Sequence, residues 1–184
     1  MRKIILLLTI SLLTGLGHLP PIAAQDTFTL QQRQDRFMQG VQAFEAGDYD
    51  TARERLAPLI DHYPELEDYT RYVLAQTFVK LEQPEEALAL FRDFLARFPD
   101  HPLEHEVQFA VANLLVDQEQ YAQAIPLYTA LQAKPDVSQD DLHYHLGQAL
   151  FHTDQYAKAV QALQHMIIFY PKHAQISDVK STLK

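Results

Sequence analysis

Residues 74–99 read LAQTFVKLEQPEEALALFRDFLARFP, and the small-residue positions of this segment occur three more times along the chain, while its closing proline, Pro99, recurs as Pro64 and Pro171. One alanine series has steps of 35, 37 and 35 residues and comprises Ala52, Ala87, Ala124 and Ala159. A second series of small residues keeps the same steps and comprises Gly40, Ala75, Ala112 and Gly147. A fixed repeat of this length is typical of helical solenoids, in which neighbouring units bury a shared core. The spacing therefore predicts an all-α stack of about four helix-turn-helix units.

Each unit is predicted to be two helices joined by a tight turn. In the first unit, residues 30–45 carry apolar side chains at helical spacing, and Gly47 suits a left-handed closing residue. Asp48 is a candidate cap for a second helix over residues 49–62. Two prolines, Pro58 and Pro126, fall inside predicted second helices, where each removes a backbone donor. We expect them to kink these helices or to shift their starts, and we expect residues 137–140 to lengthen the loop that closes the third unit.

The two small-residue series have a packing reason. Antiparallel helices that approach closely need small side chains at their contact. The series that begins with Gly40 is predicted to lie on the first helices, facing the series that begins with Ala52 on the second helices. Larger apolar residues are expected to fill the space between units, namely Leu74, Phe78, Phe91, Phe94, Leu146, Leu150, Leu163 and Met166.

These positions resemble the tetratricopeptide repeat, over roughly residues 33–171. The resemblance is carried by Gly40, Gly47-Asp48-Tyr49, Ala52 and Pro64, and by their counterparts Ala75, Ala87 and Pro99, Ala112, Tyr121 and Ala124, and Gly147, Tyr156, Ala159 and Pro171. It implies a tetratricopeptide-like α-α superhelix with repeats at about 33–67, 68–104, 105–139 and 140–174, followed by a partial helix over 175–184. The repeat domain as a whole is expected to span residues 25–184.

A narrower resemblance concerns the non-catalytic α-superhelical region of soluble lytic murein transglycosylases. It rests on Leu66-Glu67-Asp68-Tyr69, on Phe98-Pro99-Asp100-His101-Pro102-Leu103 and on Tyr170-Pro171. The catalytic motifs of that family, a helix-borne Glu followed by Ser and further motifs with Gly and Tyr, are not found in this sequence. We therefore expect a chain that is not an enzyme on its own and that has no catalytic residue.

Residues 1–24 have the order of a secretory signal peptide. A basic start, Arg2-Lys3, precedes an apolar run that is too short to span a bilayer, and Ala23-Ala24 offers small residues for cleavage. We predict export to the periplasm, with no integral membrane span after cleavage. The net charge of −9, or −11 once Arg2 and Lys3 are removed, argues against nucleic-acid partners. The absence of Cys excludes disulfides and thiol chemistry.

Histidines are the candidate metal ligands. His101-Pro102-Leu103-Glu104-His105 fits a zinc-peptidase pattern, but Pro102 separates the two histidines at a predicted helix start. His143 and His145 are two residues apart and would point to different faces of a helix. His152 and His165 could approach each other in space. We interpret all of these as structural histidines and predict neither a metal site nor a cofactor.

The candidate binding surface lies on the first helices. An aromatic series recurs at the repeat spacing and comprises Phe37, Tyr72, Phe109 and Tyr144. Four residues after each of them come Val41, Gln76, Asn113 and Gln148. First helices of such repeats line the concave surface, so these rows could hold an extended peptide or a glycan by stacking and hydrogen bonding. The alternative is that the aromatic rings belong to the core between repeats and that the carboxamides are ordinary surface polar groups.

These observations favour a non-catalytic periplasmic scaffold that binds a protein, or a partner related to peptidoglycan. The alternative is an adapter in envelope assembly or cell division that binds peptide partners in its concave groove. These two hypotheses assign different ligands to the same surface.

Overall fold

The computed structural model describes residues 28–183, and within this range it contains nine α-helices and no strand. The helices are α1 (Leu30–Glu45), α2 (Tyr49–Leu56), α3 (Glu67–Lys80), α4 (Pro84–Arg97), α5 (Glu104–Asp117), α6 (Tyr121–Leu131), α7 (Gln139–His152), α8 (Tyr156–Phe169) and α9 (Ile176–Thr182). The prediction of an all-α solenoid with four helix pairs is confirmed. The proposed signal peptide, residues 1–24, lies outside the described residues.

The helices stack in chain order. Each helix packs against the one before it and the one after it, so that α1–α2, α3–α4, α5–α6 and α7–α8 form the four units. First helices of successive units also touch each other, α1 with α3 and α5 with α7. This contact places the first helices on the inner side of the stack and the second helices on its outer side. No helix between residues 28 and 183 has the length and apolar character needed to cross a membrane.

The turn inside each unit has the same backbone geometry. Its left-handed residue falls at the repeat spacing, with φ of 80° at Gly47, 57° at Glu82, 58° at Glu119 and 59° at Asp154. In each turn the next residue donates its N–H five positions back, as from Asp48 to the carbonyl of Ala43. This pair of features is the Schellman closure of a helix. The predicted roles of Gly47 and Asp48 are confirmed, and the Asp48 side chain accepts from the N–H of Thr51 at 3.2 Å.

The eight small residues are all buried, and two of them, Gly40 and Gly147, show which side chains occupy the seam. A Cβ built on Gly40 would lie 2.6 Å from Cγ of Leu56, and one on Gly147 would meet the side chain of Leu163. Leu56 and Leu163 come four residues after Ala52 and Ala159. The glycines therefore make room for a leucine one helical turn along α2 and α8. Units two and three have Ala75 and Ala112 on the first helix, and the larger Phe91 and Tyr128 at the positions equivalent to these leucines.

Pro58 and Pro126 differ in their effects on the second helices. Helix α2 ends at Leu56 and continues as the 3₁₀ turn Ala57–Leu59, which contains Pro58, so the predicted extension to residue 62 was wrong. Helix α6 runs through Pro126 and ends at Leu131 after 11 residues, whereas α4 and α8 each have 14. A proline cannot donate to the preceding turn and crowds its carbonyl, which weakens the helix locally.

The loop after α6 was also predicted incorrectly. Gln139 and Asp140 belong to the first turn of α7 and not to the loop, and Val137 is buried. The loop therefore covers residues 132–138, one residue more than the loop over 98–103, and α6 is three residues shorter than α4 and α8.

One continuous core runs from the second unit to the fourth. It includes Ala87, Phe91, Phe94, Leu146 and Leu150, and Phe78 packs against it while half-buried. A smaller cluster joins Leu163 and Met166 of α8 to Val179 of α9. The ninth helix thus covers the apolar face of α8 that the four units leave open, and burial of apolar surface accounts for its position.

Candidate functional site

The eight candidate binding residues all lie on first helices. Phe37 and Val41 are on α1, and the corresponding pairs on α3, α5 and α7 are Tyr72 with Gln76, Phe109 with Asn113, and Tyr144 with Gln148. Residues four apart share one face of a helix. All eight are half-buried, so each side chain has one part in the protein and another part available to a ligand.

The aromatic rings are anchored by the core. Phe37 meets Tyr63 edge-on at 6.1 Å between ring centroids, and Phe109 meets Tyr128 edge-on at 5.9 Å. Tyr72 lies 6.4 Å from Phe91. Each of the three contacts is made inside one unit and not between units, and Tyr72 and Phe109 also pack against the shared core. Their positions are fixed by packing, and a fixed ring loses less conformational entropy when a ligand stacks on it.

Hydrogen bonds tie the tyrosines to the carboxamides. Nε2 of Gln76 donates to the hydroxyl of Tyr72 at 3.3 Å, and Nε2 of Gln148 donates to the hydroxyl of Tyr144 at 2.8 Å. The hydroxyl of Tyr72 donates to Glu106 on the next first helix. Burial, followed by this bond, raises the pKa of Tyr72 to about 12, and burial also raises the pKa of Tyr144. Both hydroxyls therefore stay protonated at neutral pH.

Asn113 is connected differently. Its Oδ1 accepts from the hydroxyl of Tyr128 at 2.6 Å. Tyr128 is fully buried, and burial raises its pKa, so it remains a donor. Because the oxygen of Asn113 is used in this way, the Nδ2 hydrogens are the part of the amide that is left for a ligand.

Two clefts contain most of the candidate residues. The first has a volume of about 230 Å³ and brings Gln76 of α3 together with Glu106, Phe109, Asn113 and Asp117 of α5. The second has a volume of about 260 Å³ and is lined by Tyr144, Gln148, Phe151, His152, Leu163, Asp178 and Val179. Tyr72 does not line the first cleft, but its hydroxyl donates to Glu106, which does. Phe37 and Val41 line neither cleft.

The sequence analysis missed the acidic residues of these clefts. Asp117 lies four residues after Asn113 and Glu106 lies three residues before Phe109, so both continue the same stripe of α5. Extending the spacing by one helical turn in each direction would have found them, and also His152 on α7. Together with Asp178 at the second cleft, these carboxylates give the inner face negative charge.

The histidines of the zinc-like pattern act in packing. Nε2 of His101 lies 3.0 Å from Asp68, and Nδ1 of His105 lies 2.8 Å from Asp136, so the two imidazoles bind different carboxylates. His143 and His145 do face different neighbours, since His143 lies against His165 and His145 lies parallel to Tyr128. His152 stacks on Tyr121 at 4.4 Å, whereas His165 lies against His143. Between residues 28 and 183, no three His, Asp or Glu side chains gather as metal ligands.

Sequence models of one family match the chain at three places. All three describe the tetratricopeptide repeat, and they match residues 36–65, 72–136 and 115–183, which reach each of the four helix pairs. This chain is a tetratricopeptide-repeat protein. Its helix pairs and their small-residue series are those expected of tetratricopeptide units.

Solved structures with a similar fold include two MamA chains and one protein described as having a peptide-binding site. MamA AMB-1 is 18% identical, with a TM-score of 0.70, and the match covers 81% of this chain and 79% of that chain. MamA 41-end from Desulfovibrio magneticus RS-1 is 19% identical, with a TM-score of 0.69 and coverage of 77% and 77%. YrrB, described as a TPR protein with an unusual peptide-binding site, is 20% identical, with a TM-score of 0.69 and coverage of 81% and 74%.

At these identities, the similarity establishes the tetratricopeptide fold and not the ligand. A comparison with curated protein sequences finds no match.

Proposed function

We propose that this chain is a non-catalytic scaffold that binds an extended segment of a partner protein along the inner face of its first helices. The observation that carries this proposal is the cleft between α3 and α5, where an anchored ring, a carboxamide and two carboxylates meet. The description of YrrB as peptide-binding supports it, because the same fold presents a peptide site there.

Each group in this cleft has a part in peptide binding. The Nδ2 hydrogens of Asn113 donate to a peptide carbonyl, and the ring of Phe109 offers an apolar wall. Glu106 and Asp117 favour a segment that carries Lys or Arg, since opposite charges attract across the cleft. The proposed partner is therefore a basic, extended peptide segment.

The proposed location is the periplasm, after removal of residues 1–24. The basic start and the apolar run of this segment support the proposal. Fractionation of cells, followed by N-terminal sequencing of the protein, tests it. We expect a periplasmic protein that begins at Gln25, and a cytoplasmic protein that keeps Met1 would contradict the proposal.

Peptidoglycan is the second candidate ligand. It is supported by the resemblance to the helical region of lytic transglycosylases and by half-buried rings such as Phe109 and Tyr144, which suit stacking on sugars. The discriminating experiment offers the protein purified murein and, separately, an envelope extract depleted of murein. Retention of the protein on murein alone would favour peptidoglycan as the ligand. Capture of a defined protein from the extract would favour a peptide segment as the ligand. Release of sugar fragments from murein would contradict the non-catalytic assignment.

Asn113→Asp is the variant that tests the cleft. The new carboxylate still accepts from the hydroxyl of Tyr128, so the core is preserved, but the donor for the ligand is lost. The matched control is Gln164→Glu, which makes the same amide-to-acid change at an exposed position of α8. At a salt concentration of about 0.5 M, which screens the attraction between the added carboxylate and a basic partner, we expect Asn113→Asp to weaken partner binding by about tenfold through loss of the donor. Equal binding by the two variants would place the partner elsewhere.

A further inference from the structure

A third cleft lies on the outer side of the stack, away from the two clefts on the first helices. It has a volume of about 390 Å³ and is formed where α6 of the third unit meets α7 and α8 of the fourth. Its polar lining includes His143, Lys158, Gln132, Gln161 and His165. Its volume is within the range of small-molecule sites. The inner-face proposal makes no use of this cleft.

The two histidines form a close pair inside this cleft. Their ring centroids are 4.0 Å apart and their planes are tilted by 33°. His143 comes from α7 and is only 7% exposed, and His165 comes from α8. In both rings Nδ1 is buried without a hydrogen-bond partner among the described residues. The nitrogen that can face the cleft is therefore Nε2 in each case.

Burial of Nδ1 decides which nitrogen carries the proton. A buried N–H without an acceptor is unfavourable, and it is rarer in proteins than an acceptor that lacks a donor. A neutral imidazole can place its single hydrogen on either nitrogen. The favourable tautomer of both rings has the hydrogen on Nε2, which gives two neighbouring donors directed towards the cleft.

The other groups of the cleft are also donors. Nζ of Lys158 uses one of its three hydrogens on Gln155, at 3.1 Å, and has two more to give. Gln132 and Gln161 each have an amide NH₂ group, whereas the hydroxyl of Thr129 is already committed to the carbonyl of Ile125. None of the described residues that line this cleft is a carboxylate, although the chain has a net charge of −9.

We propose that this outer cleft binds an oxyanion, a carboxylate or a phosphate, between His143, His165 and Lys158. Two imidazole N–H groups and an ammonium group match the acceptor oxygens of such a ligand, and hydrogen bonds to a charged acceptor are the strong ones. A single transition-metal ion suits the site less well. If Nε2 of a histidine bound a metal, the hydrogen of the ring would lie on Nδ1 and would need an acceptor there. Neither Nδ1 has a hydrogen-bond partner among the described residues.

The charges that face the histidine pair agree with this assignment. The ionisable side chains that line the cleft are His143 of α7 and Lys158 and His165 of α8. Helix α6 contributes none. Burial, and then repulsion from His165, lowers the pKa of His143. A bound oxyanion would reverse both effects, because it offers the imidazolium an opposite charge. Ligand binding and protonation of His143 are therefore coupled.

The test is NMR of the whole chain labelled in its histidine rings, at about pH 6, near the unperturbed pKa of imidazole. N-acetylglycine and inorganic phosphate are the two oxyanion probes, and N-acetylglycinamide is the matched neutral probe. At constant ionic strength we expect either oxyanion to shift the signals of His143 and His165 to saturation and to raise the pKa of His143. The more tightly bound of the two identifies the source of the oxyanion. An equal shift with the neutral amide, a parallel shift of the exposed His152, or no saturable shift would overturn the proposal.

Two variants locate the site. Lys158→Met keeps the apolar stem and removes the charge, and we expect it to weaken oxyanion binding by about fivefold to tenfold, as for loss of one charge-assisted hydrogen bond. Lys172→Met removes an exposed lysine outside the cleft and serves as the control, with unchanged binding. His165→Phe keeps a ring of similar shape and should abolish the oxyanion-dependent shift of His143. Equal affinity of the two lysine variants would overturn the assignment.

Discussion

The imidazole of His105, in the first turn of α5, lies 2.8 Å from the carboxylate of Asp136, in the loop after α6. In the second and fourth units the same chemical pair is reversed, with the aspartate on the first helix and the histidine in the loop. Nε2 of His101 lies 3.0 Å from Asp68, and Nε2 of His173 lies 2.9 Å from Asp141. The second, third and fourth units are thus each closed by a His–Asp pair, and the third has it in the opposite sense.

This relationship predicts that the two residues of the third unit can be exchanged. His105→Asp places two carboxylates face to face, and we expect the Tm to fall by about 1–3 °C, because like charges repel and the pair is exposed. The double variant with Asp136→His restores the arrangement of the second and fourth units, and it should recover most of the loss in a thermal melt. A double variant less stable than either single variant would show that the two side chains do not act as a pair.

The same pair sets the titration of Asp136. The hydrogen bond with His105 lowers the pKa of this carboxylate. In His105→Ala the pKa of Asp136 should rise towards its ordinary value, which carboxyl-carbon NMR measures directly. An unchanged pKa would mean that the pair is not formed in solution. Asp48, whose pKa is lowered by its bonds to Thr51, serves as the internal control.

The left-handed turns predict stabilising substitutions. Glu82 and Glu119 occupy φ angles of 57° and 58°, at the position that Gly47 holds in the first unit. A side chain in this conformation costs about 1–2 kcal/mol, and glycine avoids that strain at an entropic cost of about 0.5–1 kcal/mol. We therefore expect Glu82→Gly and Glu119→Gly each to raise the free energy of unfolding by up to about 1 kcal/mol in urea titrations.

Two controls accompany these variants. Glu85→Gly, in the first turn of α4, should lower stability, because glycine is a poor helix former. Gly47→Ala should also lower stability through backbone strain alone, since no atom lies within 4 Å of the added Cβ. Stabilisation by Gly47→Ala would contradict the assignment of the turn.

The close contact at Gly40 predicts a destabilising substitution. A Cβ at this position would lie 2.6 Å from Cγ of Leu56, in a fully buried seam between α1 and α2. We expect Gly40→Ala to lower the free energy of unfolding by about 1–3 kcal/mol through overpacking. Gln42→Ala, on the exposed side of α1, should change it by less than about 0.5 kcal/mol. Equal melting of the two variants would contradict the seam described here.

Acid should weaken the fourth unit. Burial lowers the pKa of His143 and of His145 below the ordinary value for histidine, which favours the neutral imidazole in the folded protein. The unfolded chain binds protons first as the pH falls through the unfolded pKa, and stability is lost from there downwards. The urea concentration at the midpoint of unfolding should therefore decrease as the pH is lowered from about 7 to about 5.

The matching variant is His143→Gln, which should reduce this loss, whereas His152→Gln, at an exposed position, should not. An equal pH dependence in both variants would assign the effect to other groups.

Local signals made part of the fold predictable. The bounds of α1 and the roles of Gly47 and Asp48 follow from residue types whose conformational preference has a single local cause. The left-handed conformations of Glu82 and Glu119 do not, because glutamate does not favour that conformation by itself. The left-handed conformation is imposed by the place of the residue within the repeat. It becomes visible only when the four turns are aligned with one another.

Contacts between helices were less predictable. The end of α2 at Leu56 and the packing of Gly40 against it depend on which turn of one helix meets the other, and a small-residue series does not fix this register. The pairing of His143 with His165 likewise depends on the approach of α7 to α8. By contrast, the acidic edge at Asp117 was within reach of the sequence, since it extends a stripe already identified on α5.

The central claim is that the inner face of the first helices receives an extended, basic partner segment. Hydrogen–deuterium exchange of the protein, with and without its captured partner, tests this most directly. The account predicts slower exchange in α3, α5 and α7, an effect that Asn113→Asp weakens and Gln164→Glu leaves intact. Protection confined to the outer helices α4, α6 and α8, or protection that Asn113→Asp leaves unchanged, would contradict it.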